Sequence, residues 1–189
     1  MADSNTHAAD FEPYFVAMGR VANAYSQLEF TINDAIWELA NVERAIGVCL
    51  TAQMIGPGPR NRCLLALLNL RKAPKPILDQ FNVISKKIEG LAAQRNRYVH
   101  DPFVLNEDTG EIHRMEASAD KSISYGFMDA DVTKLTALVE QIEKTGNEFN
   151  QLYLRACDEL PSWPRTQFEG SWGIQVRRKK KRSDTSEGD

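Results

Sequence analysis

Residues 94–103 read QRNRYVHDPF and place Arg95, Asn96, Arg97 and His100 within six consecutive positions. These side chains suit one chemistry. Histidine exchanges protons near neutral pH, and the planar arginine fork grips phosphate while staying charged. A helix that ends in both can bind a phosphodiester and move protons at it. Asn96 and His100 are four apart and share a helical face. Arg95 and His100 are five apart, roughly 140° around an ideal helix, so the long Arg95 side chain must bend to meet His100. Arginine followed by histidine at this spacing is weak as a pattern. The other two histidines, His7 and His113, have no such arginine ahead of them. A polar helix end is the competing reading, because basic residues favour a helix C-terminus and histidine can cap its carbonyls.

The elements that must position this cluster are helical. Phe11, Phe15, Met18, Val21, Tyr25, Leu28, Ile32, Ile36 and Leu39 recur at gaps of three and four, one face of a long helix. Asp10 is its expected N-cap, with Pro13 in the first turn. A second helix is expected over 43–54, ending at Gly56-Pro57-Gly58-Pro59. A leucine-rich buried helix follows over 59–72. Pro74 and Pro76 open a fourth helix, with Ile77, Phe81, Ile84, Ile88 and Leu91 facing the core. It runs to about His100, where Pro102 disfavours helix at Asp101. Alternation around Thr109–Gly110 predicts a hairpin, and 123–127 offers a third strand. Asp129 is the expected cap of a last long helix carrying Val132, Leu135, Leu138, Val139, Ile142, Phe149, Leu152 and Leu160. The prediction is an all-α antiparallel bundle of four or five helices, residues 1–160, with a β-hairpin inserted at about 103–127. Residues 161–189 form an extended tail, in which Trp163, Phe168 and Trp172 are candidates for docking on the body.

Composition narrows the class. The chain has 189 residues, 42% hydrophobic and 26% charged, with net charge −3, ordinary for one globular domain with a tail. The charge is uneven. Arg177, Arg178, Lys179, Lys180, Lys181 and Arg182 carry +6, and 183–189 carry −3. Removing these from 23 basic and 26 acidic residues leaves 17 and 23, a body of net −6. Six clustered cations can contact nucleic-acid phosphates, an acidic partner or the acidic body itself. A solubilising tail is the plain alternative, and the polar composition of residues 177–189 predicts disorder there. Cys49, Cys63 and Cys157 form no CxxC and read as reduced packing residues. No metal cluster, P-loop or nucleophile triad is apparent, so no metal or cofactor is expected. Without a signal peptide or a long apolar run, a cytoplasmic protein with no membrane partner is expected.

Arg95-Asn96-Arg97-Tyr98-Val99-His100 resembles the signature of the HEPN superfamily: an arginine, a polar residue, then histidine at the sixth position or slightly later. The resemblance spans about residues 11–158 in helix order. It implies a metal-independent endoribonuclease, of the kind found in toxin–antitoxin and antiviral systems, that dimerises so that two motifs share a cleft. It also implies an antitoxin or regulatory protein as a further partner. Arg95, Asn96 and His100 would be catalytic. Glu29 matches the acidic position of the first helix and could pair with Arg95, or be a plain surface carboxylate. Arg97, Tyr98 and Asp101 would support the site, with Arg97 a solvated side chain or a secondary phosphate contact, Tyr98 a base-stacking, core or interface ring, and Asp101 a helix-end cap or a residue orienting His100. Other members of the superfamily have lost catalysis, so a non-catalytic helical dimerisation domain that binds nucleic acid or a partner protein is the alternative.

Overall fold

The structure, a computed structural model, describes residues 4–119 and 123–161. Among the described residues five helices and three strands follow in chain order: α1 Ser4–Ala40, α2 Arg44–Thr51, α3 Pro57–Leu70, α4 Lys75–His100, β1 Phe103–Leu105, β2 Ile112–Ala119, β3 Ile123–Asp129 and α5 Val132–Glu159. This is the expected helical bundle with a small antiparallel sheet between its last two helices, in strand order β1-β2-β3.

The long helix α1 is the hub and packs against all four other helices. Its apolar stripe is buried from Val21 through Tyr25, Leu28, Ile32 and Ile36 to Leu39. The stripe meets Leu64 and Leu68 of α3, the Ile77–Phe81–Ile84–Ile88–Leu91 face of α4, and Leu135, Leu138, Ile142, Phe149 and Leu152 of α5. Phe81 and Phe149 meet edge to face at 5.8 Å in the α4–α5 layer, a favoured aromatic geometry. Phe15, expected on the stripe, is instead 56% exposed.

Helix ends follow local chemistry. Helix α1 ends with Asn41 at φ 52°, and Val42 N–H donates to Trp37 C=O at 3.1 Å, the Schellman arrangement. Lys72 closes α3 the same way at φ 58°, with Ala73 N–H donating to Leu68 C=O at 2.9 Å. Gly56 precedes α3 at φ 73°, a left-handed backbone that glycine adopts without strain, and Pro57 fills the first helical position.

Four expectations are corrected. Helix α1 begins at Ser4, so Asp10 lies within it and is not its N-cap position; Pro13 sits in its interior. Ala8 and Ala9, strong helix formers, stand in the stretch that precedes Pro13. The GPGP segment is not only a turn, since α3 already starts at Pro57. The cap of α5 is Asp131, whose carboxylate accepts from Thr133 N–H at 2.8 Å; that bond holds its carboxyl below the usual range. Asp129 is instead the last residue of β3, because the third strand runs two residues beyond Phe127. Finally, Cys49 and Cys157 are exposed and Cys63 is half-buried, so only Cys63 approaches the expected packing role, and burial raises its thiol pKa.

The sheet sits at the α4 C-terminus. Asn106 holds the hairpin loop by accepting from Asp108 N–H at 3.0 Å, and Gly110 takes φ 72° there. Phe103 packs on Tyr14 of α1 at 5.7 Å. Basic residues 177–182, Trp163, Phe168 and Trp172 lie outside the described residues. No helix among the described residues is long and apolar enough to cross a membrane.

Helix α2 docks through Gly47 against Trp37, which donates through Nε1 to Thr51 Oγ1 at 3.2 Å. A Cβ at Gly47 would come within 2.4 Å of the Trp37 ring. Gly47→Ala therefore lowers stability by about 1–3 kcal/mol, read as a drop in the thermal midpoint. Gly19→Ala, with nothing near its Cβ position, raises stability by about 0.5–1 kcal/mol.

Candidate functional site

Helix α4 carries the motif in its last two turns, and the two ends of the motif face different surroundings. Arg95 turns toward α1. Its guanidinium carbon lies 5.6 Å from the Tyr25 ring centroid, within cation–π range, and its Nη1 donates to Asn96 Oδ1 at 2.9 Å. His100 occupies the last helical position and is exposed. Asp101 terminates the helix with extended backbone at ψ 132°, as a residue before proline should. The structure thus binds Arg95 to Asn96 and leaves His100 facing solvent one turn on.

The supporting residues divide. Arg97, Tyr98 and Asp101 belong to the anchor of the sheet. Arg97 Nη1 donates to the Ala117 carbonyl at 3.1 Å, and its Nη2 lies 3.8 Å from Glu116. Arg114 of β2 lies 4.7 Å over the Tyr98 ring; its Nε is 3.7 Å from Asp101 and its Nη2 is 3.1 Å from Glu116. Asp101 thus turns toward Arg114 and, at 3.9 Å, toward Arg97. The Tyr98 ring face is occupied by a guanidinium from its own chain. These side chains fasten the sheet to the end of α4, directly behind His100.

Glu29 belongs to a second polar group. Its partner is Arg60 of α3, with Nη1 at 3.4 Å, and not Arg95. The reason is packing: α3 crosses α1 beside Glu29, whereas Arg95 reaches α1 one turn earlier, at Tyr25. Arg60 also donates through Nε to Asn33 Oδ1 at 2.9 Å and through Nη1 to the Gly56 carbonyl at 2.9 Å. Next to it, Asn61 Nδ2 donates to the Ser85 carbonyl at 3.2 Å and to Glu89 Oε1 at 3.3 Å. Tyr25, Glu29, Asn33, Arg60, Asn61, Glu89 and Arg95 therefore form one polar patch where α1, α3 and α4 meet. Sequence reasoning placed only Glu29 and Arg95 in it. The available signal was Asn61, three and seven residues before the core positions Leu64 and Leu68 and therefore a polar residue on an apolar stripe.

The patch is not self-satisfied. The Tyr25 hydroxyl, Asn61 Oδ1, Ser85 Oγ and Arg95 Nε are buried with no hydrogen-bond partner among the described residues. Burial, first, and then the Glu29 carboxylate push the Tyr25 phenol up to about 12, while Arg95 and Arg60 pull it down. Tyr25 is thus a neutral hydroxyl at physiological pH.

Elsewhere, His113 is half-buried, with Glu111 and Asp129 each 3.7 Å from its ring nitrogens. No cluster of three or more metal-ligating side chains occurs among the described residues. Surface grooves include one of about 720 Å³ between α4 and α5, around Val83, Ile84, Leu152 and Leu154, and one of about 410 Å³ on the outer sheet face, around Val104, Met115 and Phe127. Neither takes in Arg95, Asn96 or His100.

The fold and site together define a mostly α-helical domain with an arginine–histidine helix end beside an inserted sheet. No protein-family profile, curated protein or solved structure matches the chain.

The raised Tyr25 pKa makes stability depend on pH in the alkaline range. Below pH 10 the phenol is neutral in both folded and unfolded chains, and its contribution to stability is intact. Between pH 10 and 12 the unfolded phenol ionises while the folded one resists, so stability falls as pH rises through that window. Two pH units at about 1.4 kcal/mol each give a loss of roughly 2–3 kcal/mol. Urea unfolding of wild type and Tyr25→Phe should show this excess alkaline loss only in wild type. At pH 7 the Phe variant should be as stable as wild type or more so, because it removes an unpaired buried hydroxyl.

Proposed function

We propose that the chain is a metal-independent endoribonuclease of the HEPN type, with Arg95, Asn96 and His100 as its catalytic group. The observation that carries this reading is the disposition of the motif. Arg95 is held on an aromatic platform and bonded to Asn96, while His100 stands exposed at the helix end. A binding group fixed by its surroundings and a proton-transfer group open to solvent are what phosphodiester cleavage requires.

In the proposed reaction the ribose 2′-oxygen attacks the adjacent phosphorus. The P–O2′ bond forms, the P–O5′ bond breaks, and the products are a 2′,3′-cyclic phosphate and a free 5′-hydroxyl. A base accepts the 2′-hydroxyl proton, and an acid supplies a proton to the departing O5′. Arg95 holds the non-bridging oxygens and stabilises the charge that builds on them in the transition state. Asn96, bonded to Arg95 Nη1, fixes that guanidinium and shares a helical face with His100.

One histidine cannot serve as base and acid at the same instant. Two chains related by a two-fold axis, each giving one His100 to a common cleft, are an economical way to supply both. A homodimer acting on RNA, under an antitoxin or other regulatory protein in bacterial defence and working in the cytoplasm, completes the proposal. Arg177–Arg182 would add salt-sensitive, sequence-independent affinity for RNA.

One observation favours a second reading. The outer face of edge strand β3 presents Ile123, Tyr125 and Phe127 at 88%, 62% and 61% exposure. Apolar side chains on an open strand edge suit a non-catalytic interaction domain.

The two readings separate in an assay of RNA cleavage by chelator-treated protein. The nuclease reading expects wild type to cleave and both Arg95→Ala and His100→Ala to fall by at least 100-fold. Equal cleavage by all three proteins refutes the assignment. Absence of cleavage, with RNA binding that survives His100→Ala and is lost on deleting 177–182, establishes the interaction domain instead.

A further inference from the structure

We propose that Arg60 is a second phosphate-binding residue, forming with Arg95 a two-guanidinium clamp for neighbouring phosphoryl groups. The inference rests on the reading of Arg95 as the group that holds phosphate, and adds a residue from a different helix.

Position is the first argument. Tyr25, Glu29 and Asn33 stand at i, i+4 and i+8 along one face of α1. Arg95 docks on the first of these, 5.6 Å from the Tyr25 ring centroid. Arg60 docks on the other two, at 3.4 Å from Glu29 Oε1 and 2.9 Å from Asn33 Oδ1. Successive side chains of such a stripe are roughly 5–6 Å apart at Cβ, so α1 holds two guanidiniums from α3 and α4 as neighbours.

Unused valence is the second. Arg60 spends Nε and Nη1 on Asn33, Gly56 and Glu29, and Arg95 spends Nη1 on Asn96. Among the described residues, Nη2 of each takes no hydrogen bond. Arg95 Nε and the Tyr25 hydroxyl, on a residue 3% exposed, are unpartnered as well. The N–H groups left to meet a phosphoryl oxygen are therefore the Nη2 pair of each arginine.

Charge is the third. Glu29 and Glu89 balance Arg60 and Arg95, and Tyr25 stays neutral far above physiological pH. The patch is therefore neutral before a ligand arrives, and recognition depends on the free Nη2 groups of two fixed guanidiniums rather than on a diffuse positive field. Arg60 is well prepared for that part: its side chain is only 12% exposed and three partners fix its orientation.

Pyrophosphate, with two adjoining phosphoryl groups and no ribose to cleave, is the probe. It is titrated into the full chain while the arginine Nε–Hε signals are followed by NMR. The Arg60 and Arg95 signals should move together along one saturable curve, and Arg60→Gln and Arg95→Gln should each weaken binding at least tenfold with helical circular dichroism unchanged. Pyrophosphate that moves neither signal, or binds Arg60→Gln as tightly as wild type, overturns the clamp. If the glutamine variant does not fold, Arg60→Lys decides, because it keeps the charge but loses the fixed guanidinium and its Nη2: several-fold weaker binding upholds the clamp and unchanged binding refutes it. The clamp and the nuclease fail separately. Pyrophosphate binding without RNA cleavage keeps the first and removes the second; RNA cleavage at the full rate by Arg60→Gln does the reverse.

Discussion

Helix α1 must be two things at once, and the rest of the molecule is arranged around that constraint. One face of it is an apolar stripe that closes the core against all four other helices. One edge, at Tyr25, Glu29 and Asn33, is amphipathic. Tyr25 shows how the two duties meet: the ring is part of the core, yet it carries the Arg95 guanidinium. Burying a phenol without a hydrogen bond costs about 1–3 kcal/mol. The helix accepts that cost where an arginine from α4 has to be aimed.

The inserted sheet solves a different problem. An α-helix ends with carbonyls that need partners and side chains free to wander. Helix α4 ends at the residue on which the proposed chemistry depends. Arg114, 11% exposed, lies over Tyr98 and beside Asp101, which is 13% exposed. Arg97 reaches the Ala117 carbonyl from the other side. These contacts lock positions 97, 98 and 101 around His100 and leave the imidazole open. The residues around His100 are thus its frame. Their occupation by β2 explains why a cluster of polar residues in sequence separates into a fixed shell and an exposed centre in space.

Much of this was legible in the sequence because helical periodicity is a strong signal. The α4 positions Ile77, Phe81, Ile84, Ile88 and Leu91 are all buried as their spacing requires. Pro102 marks the end of that helix, and the Thr109–Gly110 turn stands where the hairpin closes. Failures came where a local signal had two solutions. Asp129 and Asp131 both precede an apolar run, and only strand pairing of Asp129 with His113 decides which one caps. Asp10 and Pro13 suggested a start for α1 that the preceding alanines override. The partner of Glu29 was illegible in principle, because no periodicity within α1 says which of two arginines on other helices will cross it. The same holds for Arg97, Tyr98 and Asp101, whose partners lie on a strand more than ten residues away.

The account stands or falls on the reaction assigned to the helix end. A phosphodiester opened by its own 2′-hydroxyl leaves an unmistakable pair of termini, whatever RNA is cut. Mass spectrometry of RNA fragments produced by the protein in excess chelator measures them directly. The account predicts a 2′,3′-cyclic phosphate on one side of each break and a 5′-hydroxyl on the other. Fragments bearing 5′-phosphate and 3′-hydroxyl ends, or RNA left whole, would contradict it.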